Sequence, residues 1–117
     1  MEISSAASGL AALAHEGRLS TFRLLVQTGP EGMAAGEIAR RLGVLSNTLS
    51  ANLNVLSHAG LVQSRRDGRS IIYTAQYDAM RELLAFLMED CCGGSPEICA
   101  PLLAIASKSC AGEGACA

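Results

Sequence analysis

The chain has 117 residues, half of them apolar but only 3% aromatic, and a formal net charge of −2. That length fits one domain with a modest core, and an apolar mass made mostly of Ala and Leu favours helices whose core is completed by dimerisation. No apolar run approaches the ~20 residues that span a bilayer, and the opening MEISSAASGLAALAHEGR lacks the basic start of a signal peptide, so a cytoplasmic protein without a membrane partner is expected.

The charge is unevenly spread. Residues 1–75 carry seven Arg against five acids, a net of +2, whereas 76–117 carry Arg81 and Lys108 against six acids, a net of −4. The first part suits a polyanion and the second would be repelled by one.

In chain order, residues 7–27 read as helix, with Leu10, Leu13, Leu19, Phe22 and Val26 at helical spacing and Gly17 as a point of separation into two pieces. TGPEG (28–32) is a turn. MAAGEIARRLG (33–43) reads as a short amphipathic helix, Ile38 and Leu42 inward, Arg40 and Arg41 outward, Gly43 at its end. A second helix follows over 44–60, with Ser46 as N-cap, a stripe of Leu49, Leu53 and Leu56, and an outer face of Asn47, Ser50, Asn54 and Ser57. Thr48 and Asn52 fall near the edges of that face. The period then changes to two: LVQSRRDGRSIIYTA (61–75) is a hairpin around Asp67-Gly68. Residues 77–90 form another helix, with Met80, Leu83, Leu84, Leu87 and Met88 on a broad apolar face. Beyond Cys91 the pattern breaks, with a short helix within 96–110 and a frayed end.

Helix, three-residue turn, polar-faced helix and hairpin, in that order, predict a winged helix-turn-helix. The second helix is held by one apolar stripe while its N-terminal side chains reach base edges in a major groove. Ser46, Asn47, Thr48, Ser50 and Asn52 suit that role, and Arg65, Arg66 and Arg69 at the hairpin tip suit DNA backbone or minor groove. A polar face or an arginine turn alone is ordinarily just solvated; the ordered combination is what points to DNA. No acid, base and nucleophile set for an enzyme is visible.

ALAHEGRLSTFRLL (12–25), GEIARRLGVLSNTLSANLNVLSHAGLV (36–62) and RRDGRSIIYTA (65–75) resemble the ArsR/SmtB family of metal-responsive repressors across most of residues 10–92. The resemblance implies a homodimer that binds inverted-repeat operator DNA and lets go when a ligand binds, with Ser46, Thr48 and Ser50 on DNA-reading positions. Asn52 stands where His is common in relatives and Asn54 where a basic residue is common. The family's Cys-x-Cys site on the first helix of the motif is missing from residues 33–42, and the helix over 77–90 has no His for the family's zinc site.

All five cysteines follow residue 90, an odd number that points to thiols rather than a disulfide framework. Taken alone they fit zinc, redox or arsenic chemistry. Soft thiolates select thiophilic ions, and trivalent arsenic or antimony takes three sulfurs in a pyramid. Cys91, Cys92 and Cys99 supply three, with Gly93 and Gly94 free to turn the chain back. This resembles an arsenic-responsive subgroup of the family with a Cys-Cys pair and one downstream cysteine. Cys110 and Cys116 are read as spare thiols, and His15 and His58 as packing or capping groups.

The expectation is therefore a mainly α winged helix-turn-helix with a β-hairpin wing, homodimeric through its N- and C-terminal helices by way of Leu10, Leu13, Leu83, Leu84 and Leu87. Residues 1–92 would bind DNA and dimerise; 93–117 would complete the thiol site. Its function would be an arsenic-responsive repressor, with As(III) or Sb(III) as inducer, no organic cofactor, and operator DNA and a second copy as partners. A thiol redox-sensing repressor and a DNA-independent arsenic- or zinc-binding buffer are the alternatives.

Overall fold

The structure is a computed structural model that describes residues 1–89. Met1–Phe86 make one compact unit, and a second begins at Leu87. The element order is α1 (Ile3–Leu13), α2 (Glu16–Thr28), β1 (Met33–Ala34), α3 (Ala35–Leu42), α4 (Ser46–His58), β2 (Val62–Asp67), β3 (Ser70–Ala75) and α5 (Tyr77–Leu87).

The first helical stretch does divide, but before Gly17. Ala14 ends α1 and His15, extended, caps α2. The cap is reciprocal. The His15 Nδ1 accepts the N–H groups of Gly17 at 3.1 Å and Arg18 at 3.4 Å. Arg18 in turn donates through Nε to the Ala12 carbonyl at 2.6 Å, satisfying the open end of α1. Gly17 lies inside α2 and serves close packing: a Cβ there would meet the Asn52 Nδ2 at 2.9 Å.

Residues 33–43 are not all helix. Met33 and Ala34 form a short strand paired antiparallel with β3, Met33 opposite Tyr73 and Ala34 opposite Ile72. The sheet order is β1-β3-β2. Gly32 makes the extra strand feasible, since at φ 78° a Cβ would sit 2.6 Å from the Tyr73 carbonyl oxygen.

The core gathers Phe22 and Leu25 from α2, Ile38 from α3, Leu49, Leu53 and Leu56 from α4, and Met33, Leu61, Val62 and Ala75 from the sheet region. This is the apolar stripe expected of α4, consumed completely by its own chain. Tyr77, at the start of α5, donates its hydroxyl to the Leu25 and Val26 carbonyls at 3.3 and 3.2 Å, tying α5 to the end of α2. Burial pushes its phenol pKa up.

Two residues expected at a dimer interface are used within the chain. Leu83 is buried, its Cδ2 3.9 Å from where a Cβ on Gly9 would stand, so it joins α5 to α1. Leu13 packs partly against the core. Leu10, Leu84 and Leu87 are exposed. Among the described residues no helix is long and apolar enough to cross a membrane.

Candidate nucleic-acid interface

Helix α3 closes on Gly43 in the left-handed conformation, and its N–H reaches back to the Arg40 carbonyl at 3.3 Å. The chain runs through Val44, whose side chain packs toward the core, and Leu45, which is extended. The Leu45 carbonyl then accepts the Leu49 N–H at 3.0 Å, which starts α4. The N-cap is therefore Leu45, one residue before the serine expected from sequence, and Ser46 is the first helical residue. The Leu45 side chain makes no capping bond and the first turn holds no acid. The open N–H groups and the positive end of the helix dipole thus favour an anion there.

Ser46, Asn47, Thr48 and Ser50 are all exposed. Asn47, Thr48 and Ser50 lie off the face that carries Leu49, Leu53 and Leu56, while Ser46 sits at the open N-terminal end of that face. The Asn47 Oδ1 accepts the Thr48 N–H at 2.9 Å. Asn52 departs from the expectation: it is 8% exposed and packs toward Gly17 of α2. Its carboxamide fills the α2–α4 contact instead of facing outward. The cause is angular, since position 52 lies one residue before Leu53 and three after Leu49, on the inward flank of the stripe.

On α3, Arg40 and Arg41 are exposed and both pair with Glu37, Arg41 through Nε at 3.1 Å. Hydrogen bonds from Arg41 and then Arg40 hold the Glu37 carboxyl below the usual carboxylate range.

The wing pairs Arg65 with Ile72, Arg66 with Ile71 and Asp67 with Ser70, leaving Gly68 and Arg69 as a two-residue loop. Only Arg69 is at the tip; Arg65 and Arg66 lie in β2 and, by strand alternation, on opposite faces. All three are exposed. Arg65 donates through Nη2 to the Glu31 carbonyl at 2.6 Å, which fastens the wing to the turn before β1. Sequence spacing carries no sign of that long-range contact. It also misses Leu45, although an apolar residue at a helix N-cap is itself an anomaly.

The remaining sequence candidates lie elsewhere. His15 is the cap described above, and the His58 Nδ1 lies 2.8 Å from the Asn54 carbonyl oxygen. Among the described residues no cluster of three His, Cys, Asp or Glu side chains could hold a metal ion. Cys91, Cys92 and Cys99, with Cys110 and Cys116, lie outside the described residues.

A rigidly seated helix with a polar outer face, reached by a tight turn from a shorter basic helix and followed by an arginine-bearing hairpin, defines a winged helix-turn-helix DNA-binding protein. A helix-turn-helix domain family matches residues 13–65. The transcriptional regulator YgaV of Escherichia coli is 32% identical over 87 residues, covering 74% of this chain and 86% of YgaV. The nodulation protein NolR of Rhizobium meliloti is 36% identical over 84 residues, and the match spans 72% of this chain and 66% of NolR. Among solved structures, an ArsR-like regulator from Rhodococcus superposes with a TM-score of 0.66 at 31% identity, covering 87% of this chain and 90% of that one. A homodimeric winged helix-turn-helix domain from Mycobacterium bovis, a possible ArsR-family regulator, gives 0.62 at 33% identity, with 74% and 78% covered. A possible transcriptional regulator for arsenical resistance gives 0.59 at 27% identity, with 68% and 80% covered. The chain belongs to the ArsR family of winged helix-turn-helix transcriptional regulators, which are DNA-binding proteins and not enzymes.

Proposed function

We propose that this protein is a homodimeric repressor that grips an inverted-repeat operator and is released when As(III) or Sb(III) binds Cys91, Cys92 and Cys99. Residues 1–92 would carry DNA binding and dimerisation, and 93–117 would complete the thiol site. The observation that carries the DNA half is the acid-free N-terminus of α4, whose N-cap Leu45 makes no capping bond, with Ser46, Asn47, Thr48 and Ser50 exposed around it. Small hydroxyl and amide side chains there reach base edges, while Arg66 and Arg69 of the wing neutralise phosphates.

Dimerisation is supported by the apolar side chains that the chain leaves uncovered on its first and last described helices, Leu10 at 41% exposure and Leu84 at 51%. The homodimeric Mycobacterium bovis relative supports the same reading. A dimer presents two α4 helices to half-sites about one DNA turn apart.

The inducer reading rests on donor chemistry. Three thiolates match the pyramidal preference of trivalent arsenic and antimony, and soft donors discriminate against hard cations. The similarity to a possible arsenical-resistance regulator agrees with it. The inducer must favour the weakly binding state of the dimer, because equal affinity for both states would shift nothing. A coupling of about 1–3 kcal/mol would weaken operator binding about 5–150-fold.

The test is a mobility shift on an inverted repeat upstream of the protein's own gene, under reducing conditions with arsenite titrated in. Release of wild type and retention of a Cys99→Ser variant are expected. Equal release of both would exclude a three-thiol site, and the absence of any specific shift would leave only a metalloid-binding role.

A further inference from the structure

Leu45 is 72% exposed and occupies the N-cap of α4. Two local forces argue against a leucine there. An N-cap prefers Ser, Thr, Asn or Asp, whose side-chain oxygen accepts one of the open N–H groups, and Leu45 makes no such bond. Its side chain is also left in water, where burial would be favourable. The adjacent Val44 is the residue of this turn that packs toward the core, so in the extended backbone of Leu45 (φ −70°, ψ 149°) the leucine is free of any packing duty. A single exposed apolar side chain is unremarkable on most of a protein surface. At a position where a polar residue would serve the fold better, surrounded by exposed Ser46, Asn47 and Thr48, it calls for an apolar partner outside the chain.

Resting on the DNA-reading role proposed for α4, we infer that Leu45 is a specificity-determining residue that packs on the C5 methyl group of a thymine in each half-site. The first turn of a reading helix is the part that meets base edges. In the major groove the one apolar feature of those edges is the thymine methyl. The hydroxyl and amide side chains that follow Leu45 read hydrogen-bonding atoms. Leu45 adds the one discrimination they cannot make, the presence of the C5 methyl itself, which separates thymine from uracil at the same place.

The experiment begins by selecting bound sequences from a random duplex pool with the full chain. Each thymine of the selected site is then replaced, symmetrically in both half-sites, by deoxyuridine, which removes only the methyl. Wild type should lose about fourfold in affinity per half-site at one symmetric position, the size expected for one buried carbon. The Leu45→Ser variant should bind the thymine site more weakly, bind thymine and uracil sites equally, and melt no lower than wild type because it gains a capping side chain. A Leu45→Ser protein that still prefers thymine at that position overturns the inference. So does a wild type that selects a specific site yet tolerates every uracil. A wild type that selects no sequence fails earlier, overturning the DNA-reading role and this inference together.

Discussion

Helices α4 and α5 resemble one another in the sequence and behave differently in the fold. Each is a short amphipathic helix with leucines at three- and four-residue spacing. On α4 the leucine stripe is spent entirely inside the chain: Leu49, Leu53 and Leu56 are buried, and the outer face is polar apart from the exposed Val55. On α5 only Leu83 is buried, while Leu84 and Leu87 stay more than half exposed. Periodicity reports which residues are apolar; it does not report whether the same chain covers them. A helix whose stripe is satisfied is a rigid platform for whatever its other face does. A helix with leucines left over awaits a second surface.

That contrast predicts opposite phenotypes for leucine substitutions. Leu53→Ala should remove about 2–5 kcal/mol of stability, as truncation of a fully buried leucine does, measured by urea denaturation at fixed protein concentration. Leu84→Glu should leave the helical circular dichroism signal of each chain intact but give monomers in sedimentation. Operator affinity would fall at least ~100-fold, because the second half-site is no longer engaged at high effective concentration. If Leu84→Glu unfolds the chain while Leu53→Ala does not, the contrast is reversed.

The polar face of α4 and the wing should separate by salt dependence. Thr48→Ala should weaken binding to the selected operator by about 1–3 kcal/mol while leaving the salt slope unchanged. Arg66→Ala should weaken all sequences alike and lower the slope by about one unit. Arg65 offers a control, because its guanidinium donates to the Glu31 carbonyl. Arg65→Gln, which keeps a donor, should lie nearer to wild type than Arg66→Ala in titrations between low and moderate salt.

The smallest effect is expected on α3. Glu37 has its folded pKa lowered from 4.5 by Arg41 and Arg40. Its contribution to stability is therefore full above that ordinary value and is lost as pH falls through the depressed one. Both arginines and the carboxylate are solvent-accessible, so the gain is slight. A Glu37→Gln variant should flatten the acid side of the melting-temperature profile by a barely measurable amount.

Much of this arrangement is legible in the residues alone. The α4 stripe, the end of α3 at Gly43 and the hairpin each follow from local rules: a 3.6-residue period, a left-handed cap, and a two-residue turn, although the loop is Gly68-Arg69, one residue beyond the expected Asp67-Gly68. What the sequence conceals is non-local or rests on atypical chemistry. β1 is two residues long and exists because Gly32 lets it approach Tyr73, about forty residues on. The break between α1 and α2 is capped by a histidine ring nitrogen instead of a usual capping residue. Asn52 has the residue type of a base reader, but its angular position turns it toward Gly17. Arg65 and Arg66 are equivalent by composition, and β2 places them on opposite faces. The cysteines are legible only as chemistry, since they lie outside the described residues.

The central claim, a polar-faced α4 presented twice by a dimer, is tested most directly by binding stoichiometry. Fluorescence anisotropy and sedimentation of the full chain should be measured on an inverted repeat and on the same DNA with one half-site scrambled, at two salt concentrations. Two protomers per repeat, with affinity falling at least ~100-fold when one half-site is lost, is the predicted result. One protomer per duplex, with equal affinity for both DNAs, would contradict it.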